Sequence, residues 1–457
     1  MKKHSQSMLR GPLLPSIISY TVPIILTSLL QLLFNAADLV VVGRFCGSLS
    51  VAAVGATGSL TNLIINLFLG ISMGAGVTVA HGLGAREEDT VQRTVHTALP
   101  TAIVSGLILT VVGVILSGPM LQMMGTPEAV LPLSTLYMQL YFCGMTFNMV
   151  YNFCASILRA AGDTKSPLLF LTLAGVINVA LNVVFVTVLH MNVAGVALAT
   201  TISQAVSAVL VVIALMRRQD SCRLRLKKMR FYKVQFLKII RIGLPAGIQN
   251  SMFAISNVII QSSINSFGEV VMSGNAAAGS IEGFLYVIMN SFHQTTVNFV
   301  GQNVGAHQYD RAKKTLYYCL ASVFVAGLSS CLVAYCFAPQ LLSIYITDSQ
   351  EAIAYGVMRM SVICLTYCIC GLMDTTTGAL RGMGASLVPM LISVLGVCGI
   401  RLGWIFTMFR IPQFHTPFWL YVSYPVSWAV TFAAQLYAFI RVFRGRVRAE
   451  AELSQSK

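Results

Sequence analysis

A chain of 457 residues that is 56% hydrophobic and only 10% charged cannot hide its apolar surface as a soluble globule. Composition therefore excludes a soluble enzyme or binding module and implies an integral membrane protein with room for about a dozen spanning helices. The net charge of +15 would point to nucleic acid in a soluble chain, but here the placement of the charges carries the information and no nucleic-acid partner is expected.

Met1–Gly11 is short and basic, yet the apolar run after it is too long for a signal-peptide core and has no small-residue cleavage site, so the first helix is expected to be retained. Spanning-length apolar segments then recur at 14–42, 51–80, 94–117, 131–158, 167–189 and 193–216. After a polar stretch they continue at 239–265, 272–300, 316–338, 352–379, 387–409 and 416–440. That predicts twelve transmembrane helices. With the amino terminus inside, all but four of the 30 basic residues fall in inside segments, ten of them between Arg217 and Arg241 and others at Lys2, Lys3 and Lys457. Both termini and the central linker are thus expected to be cytoplasmic.

The two halves repeat each other. Pro23 and Pro245 match at an offset of 222, and Gly47 with Gly268 and Gly58 with Gly279 at 221. The loop Gly84-Ala85, Asp89, Arg93, Thr94 returns as Gly305-Ala306, Asp310, Lys314, Thr315, while Leu158-Arg159, Gly162 and Pro167 return as Leu380-Arg381, Gly384 and Pro389. Six helices per half make the repeats parallel, related by an axis along the membrane normal, and transporters place substrate between such repeats. The expected fold is all-α integral membrane, with two pseudo-symmetric six-helix bundles. Its divisions are a lobe at 1–216, a basic linker at 217–241, a second lobe at 242–440 and a basic tail at 441–457.

In the first helix Thr27, Gln31, Asn35 and Asp38 stack as one polar stripe at helical spacing. A charged Asp at membrane depth costs about 2.5–3.5 kcal/mol and belongs in a bundle interior or wet cavity, where it often binds protons or ions. A structural role for Asp38 near the interface is the competing reading; Arg44, about 240° further round the helix, is poorly placed to pair with it. Asn178 and Asn182 on the fifth helix, and Thr200 and Gln204 on the sixth, are i, i+4 pairs that either converge with this stripe or simply bind helices together. In the second half Ile260 occupies the position of Asp38. Glu282 and Asp374 are the acids there, each a coupling site, a cationic-substrate contact or half of an ion pair with Arg359 or Arg401. Structural pairing is the favoured reading for Asp374, and a hydrogen-bonded core role for His293. Gly70 and Gly74 form a small-xxx-small patch for close packing. Cys364, Cys368 and Cys370 have no companion His or acid and read as packing residues. No phosphate-binding G-x-x-x-x-G-K-[ST] loop, H-E-x-x-H or G-x-S-x-G occurs, so neither ATP hydrolysis nor enzymatic chemistry is expected, and no cofactor or bound metal beyond a coupling H+ or Na+.

The chain resembles the multidrug and toxic compound extrusion (MATE) family. The resemblance rests on Pro23, Asn35-x-x-Asp38 and Val42-Gly43, then Gly82-x-Gly84-Ala85, and Leu158-Arg159-Ala160-x-Gly162-Asp163-Thr164-x-x-Pro167. Asn178-x-x-x-Asn182 and Ala199-Thr200-x-x-Ser203-Gln204 complete it. It implies a multi-pass plasma-membrane antiporter that exports bulky, often cationic organic compounds in exchange for protons or sodium; a monomer is expected. The family's cation site maps onto Asp38, Asn178, Asn182 and Thr200, with Gln31, Asn35 and Gln204 as supporting residues. One branch of the family carries an acid where this chain has Asn182, and another uses an acid on helix seven, where this chain has none between Arg241 and Phe267. A lipid-linked oligosaccharide flippase of the same architecture is the alternative; such proteins resemble this plan but line the cavity with several basic residues.

Overall fold

At membrane depth an apolar chain has no water to satisfy its backbone, so the long Leu, Ile, Val, Ala and Phe runs form helices, which pair every N–H and C=O internally. The computed structural model describes residues 8–347 and 349–455, and among them there is no strand. Lys2, Lys3 and Lys457, which entered the charge argument above, lie outside these residues. The helices in order are α1 (Leu13–Phe45), α2 (Ser48–Gly84), α3 (Glu88–Met123), α4 (Leu131–Cys143 and Met145–Ala160), α5 (Lys165–Val183) and α6 (Asn192–Arg217). The second set is α7 (Lys233–Asn265), α8 (Glu269–Gly305), α9 (Tyr309–Cys336), α10 (Gln350–Gly382), α11 (Leu387–Ser393 resuming at Ile400–Phe406) and α12 (Pro417–Gln455). Nine of the helices, among the described residues, are long and apolar enough to span a bilayer on their own. The exceptions are α4, α7 and α8. The residues expected to form a separate tail after 440 continue α12 without a break as far as Gln455.

Two departures from regular α-helix position later features. Gly144 interrupts α4 where Thr201 and Gln204 of α6 press so closely that a Cβ would meet the Gln204 Oε1 at 2.8 Å. The carbonyls of Leu140 and Phe142, freed there, accept from Thr201 Oγ1 (3.2 Å) and Thr110 Oγ1 (2.8 Å). Helix α5 runs on into a π-helical turn at Val184–Val188, and α11 is interrupted by another at Val394–Gly399.

The duplication is visible in the backbone. Left-handed residues recur in register: Gly47 and Gly268, Gly162 and Gly384, and the non-glycine pair Arg86 and His307, all with positive φ. The chain divides into two compact units, one of residues 22–250 and one of 8–21 with 251–455. The division runs through α1 and α7 rather than through the linker at 217–241, and its first crossing lies beside Pro23. Pro23 in α1 and Pro245 in α7 each remove one helical hydrogen bond and weaken the rod locally.

Within the amino-terminal unit, α3 packs on α4 and α4 on α6 around a core that includes Leu109, Met138, Phe142, Met149 and Phe153. The start of α7 lies against α2 backbone to backbone: Gly70 and Gly74 face Gly243 and Gly247, and a Cβ on any of the four would overlap main-chain atoms of the other helix. The basic linker is strapped down rather than loose. His96 on α3 donates from Nδ1 to Gln92 O and accepts at Nε2 from the Arg225 N–H (3.0 Å), and its own carbonyl accepts from the Arg230 N–H (3.3 Å). Arg218 pairs with Asp220, and Cys222 and Leu224 are buried.

In the carboxy-terminal unit α8 and α10 pack together along most of their length and both bury polar faces. Ser291, Thr295, Thr296 and Asn298 on α8 satisfy themselves on carbonyls four residues earlier, which is how a helix with this composition tolerates burial. Asn303 reaches both Phe299 O and Met8 O, tying residue 8 to this unit.

Replacing Gly70 or Gly247 with Ala is expected to cost about 1–3 kcal/mol, the usual penalty for overpacking. A lower melting temperature of the purified protein checks this. Ala at Gly58, which has open space around it, serves as the unaffected control.

Candidate functional site

The polar groups of α1, α5 and α6 meet inside the amino-terminal unit. Four of the residues named from spacing form a closed ring of hydrogen bonds. Asn182 Nδ2 donates to Asp38 Oδ1 and, at 3.2 Å, to Asn178 Oδ1; Asn178 Nδ2 donates to Thr200 Oγ1 at 3.3 Å; Thr200 Oγ1 reaches Asp38 Oδ2 at 3.5 Å and Val196 O at 3.0 Å. Asn178 and Asn182 are buried, Asp38 partly so. The local cause is plain: an i, i+4 amide pair on α5 puts both carboxamides on one face, and Asp38 sits at the height where that face arrives. The ring has one open valence. Asn182 Oδ1 is enclosed and has no donor, although a buried carbonyl normally finds one. Together the carboxylate, two amide oxygens and a hydroxyl make an all-oxygen set suited to a proton on Asp38 or to a hard monovalent cation.

The remaining stripe residues stay out of the ring. Gln31 and Asn35 are exposed on α1, and Thr27 is buried but spends its hydroxyl on Pro23 O. Gln204 lies one turn beyond Thr200 and its Oε1 is enclosed against Gly144 without a partner, so it does not reach Asp38. Tyr137 and Tyr141 on α4, which spacing did not single out, stack with ring centroids 6.1 Å apart.

The acids of the carboxy-terminal unit sort differently from the expectation. Glu282, not Asp374, forms the buried ion pair: Arg359 grips it bidentately through Nε (2.9 Å) and Nη2 (2.6 Å), while Nη1 donates to Asn275 Oδ1 at 2.6 Å. The two helices place these residues face to face, and a bidentate fork is the arrangement that best offsets desolvation. Asp374 accepts from the Tyr286 hydroxyl at 3.0 Å and pairs with neither Arg359 nor Arg401. His293 donates from Nδ1 to the Asp374 backbone carbonyl (2.7 Å) and holds Nε2 toward Arg381 Nη1 (3.3 Å), a bonded core histidine.

A family model described as MatE matches the chain twice, over residues 23–184 and 245–406. The chain belongs to the MatE family. The two matches begin at Pro23 and Pro245, so the duplication read from scattered identities is the family's own repeat. The probable multidrug resistance protein YoeA of Bacillus subtilis is 26% identical over 419 residues, covering 90% of each chain. An FAD transporter of Shewanella oneidensis is 24% identical and covers 76% of this chain and 78% of its own. The solved structure of an outward-facing multidrug resistance MATE family transporter superposes with a TM-score of 0.87 at 20% identity, over 97% of this chain and 98% of the other. The fold is that of a MATE transporter, a multi-pass membrane protein.

Removing one partner of the Glu282–Arg359 pair leaves a buried charge uncompensated. Glu282→Ala is expected to cost about 3–5 kcal/mol, whereas replacing both residues with Met should recover most of that loss. Thermal unfolding of the two variants side by side checks the order.

Proposed function

We propose that this MATE protein is a secondary active exporter of bulky organic compounds in the plasma membrane, with both termini cytoplasmic, that exchanges its cargo for a proton or sodium ion bound at Asp38. The observation carrying this reading is the ring of Asp38, Asn178, Asn182 and Thr200 with its one unsatisfied oxygen, Asn182 Oδ1. A carboxylate held by donors on two other helices reports its charge state to both of them. When a cation neutralises it, the pull on Asn182 and Thr200 weakens and α5 and α6 are released from α1. Alternating access follows if the sealed conformer tolerates only the neutral site. In this cycle an ion entering from outside neutralises Asp38 and cargo leaves outward; release of the ion inside restores the ring. One charge moving down about 100 mV supplies about 2.3 kcal/mol, enough for roughly a fiftyfold gradient of cargo. The name of the Bacillus subtilis relative supports multidrug cargo.

The flippase alternative needs several free cations for a pyrophosphate. Of the two candidates, Arg359 is neutralised by Glu282 and only Arg401 is left, which disfavours that reading.

The test is efflux of ethidium from loaded cells or inverted vesicles, with proton and sodium gradients imposed separately. Asp38→Asn, which keeps the shape and an acceptor oxygen, is expected to fold and to bind ethidium while losing gradient-driven efflux entirely. Wild-type efflux by that variant, or transport indifferent to both gradients, would sink the proposal.

A further inference from the structure

Arg401 on α11 is a buried, membrane-depth cation of the carboxy-terminal unit with no acid beside it among the described residues. Arg359 has Glu282, and no carboxylate lies within 4 Å of Arg401 among the described residues. The residue is only 5% exposed. Its Nε donates to Ser427 Oγ at 3.0 Å, and its guanidinium lies over the Tyr424 ring, 4.0 Å from the centroid, with Trp428 at 5.5 Å. Tyr367 extends the aromatic wall, its centroid 5.4 Å from that of Trp428. The two terminal nitrogens have no hydrogen-bond partner among the described residues. They are also not sealed in, unlike the neighbouring Trp404 Nε1 and Tyr421 hydroxyl, which are enclosed without partners. The Nη1 and Nη2 N–H groups are thus left over on a guanidinium held by Ser427 and a ring stack.

How Arg401 comes to face inward is legible in the helix. Asn178 of the Asp38 ring lies eleven residues after Pro167 on α5, whereas Arg401 lies twelve after the matching Pro389 on α11. The π turn Val394–Gly399 absorbs the extra residue, because each of its bonds closes five residues back rather than four. Arg401 therefore stands on the helical face that Asn178 occupies in the other repeat. Where one repeat aims amides at a carboxylate, the other holds a guanidinium by a serine and two rings with no acid beside it.

A buried, uncompensated charge is costly, and retention of one inside a membrane bundle marks a function. Arginine's planar fork matches carboxylate and phosphate oxygens two at a time, and flanking rings stack on planar cargo. We propose that Arg401, with Tyr424 and Trp428, binds the carboxylate or phosphate of an aromatic organic anion. That this anion is cargo rests on the export reading; binding does not. The protein would then handle acidic or zwitterionic aromatic compounds as well as cations.

Binding of carboxyfluorescein and of ethidium to the purified protein, with no ion gradient present, tests this apart from export. Wild type is expected to bind carboxyfluorescein, and Arg401→Gln to weaken it about tenfold or more, the worth of one charge-assisted hydrogen bond, while ethidium binding stays within a factor of two. Arg401→Lys should retain part of the affinity. Wild type should also prefer an aromatic carboxylate to its methyl ester by a similar factor, a comparison that needs no variant. Equal affinity for acid and ester, no binding of carboxyfluorescein by wild type, or equal loss of both dyes in a variant that melts like wild type would each overturn the assignment.

Discussion

Everything polar in this protein answers to one constraint: a charge taken out of water must meet an opposite charge, a set of hydrogen bonds or a passing ligand. Glu282 and Arg359 meet each other and cancel. Asp38 meets two donors, an amide and a hydroxyl, but no cation of the protein's own, and Arg401 meets a serine and two rings but no anion. The first arrangement is inert; the other two are incomplete by one charge each, of opposite sign. A membrane protein cannot carry such residues as ornaments, since each costs several kcal/mol against an apolar replacement.

Much of this was legible before any coordinates, because helices convert spacing into direction. The i, i+4 pair Asn178 and Asn182 had to share a face, and so did Asp38 with the stripe before it; their convergence with Thr200 required only that α1, α5 and α6 be neighbours. Spacing could not say how high on each helix the meeting would occur, which is why Gln31, Asn35 and Gln204, good members of the same stripes, lie outside the ring. Glu282 and Asp374 exposed another limit. Arg359 and Asp374 share α10 fifteen residues apart, about 22 Å along one rod and out of reach of each other, so it is Glu282 on the neighbouring α8 that takes Arg359. Arg401 was hidden by the π turn: on an uninterrupted helix the repeat offset puts Ile400, not Arg401, at the position of Asn178.

The hydropathy signal is weakest at α8 for a related reason. The α8 helix buries a face of Ser, Thr, Asn and Gln, and its average polarity hides its depth. Those side chains bond back to the carbonyl four residues earlier, so their polarity is spent locally and costs the bundle little. The repeat agrees with the spanning segment read at 272–300, because a duplicated chain must place α8 where α2 stands. The glycines Gly70, Gly74, Gly243 and Gly247 show the same logic in three dimensions: two small-xxx-small stripes are each weak signals, and they turn out to be the two sides of one contact.

Under the antiport reading, energetics decide how much a single acid can do. Moving an equilibrium from one strongly favoured conformer to another takes about 5.5 kcal/mol of differential binding, and one charge crossing the membrane potential supplies less than half of that. The remainder has to come from the site itself. A charged Asp38 sealed from water carries a penalty of about 2.5–3.5 kcal/mol that vanishes when a cation neutralises it, and the two contributions together reach the required size. The ring around Asp38 sets the fraction realised: stronger donors would hold the carboxylate contentedly charged and weaken the switch, while fewer would leave it too costly to ionise. Three neutral partners, Asn182, Thr200 and through them Asn178, with no arginine or lysine among them, is the composition that keeps both states within reach of a single ion.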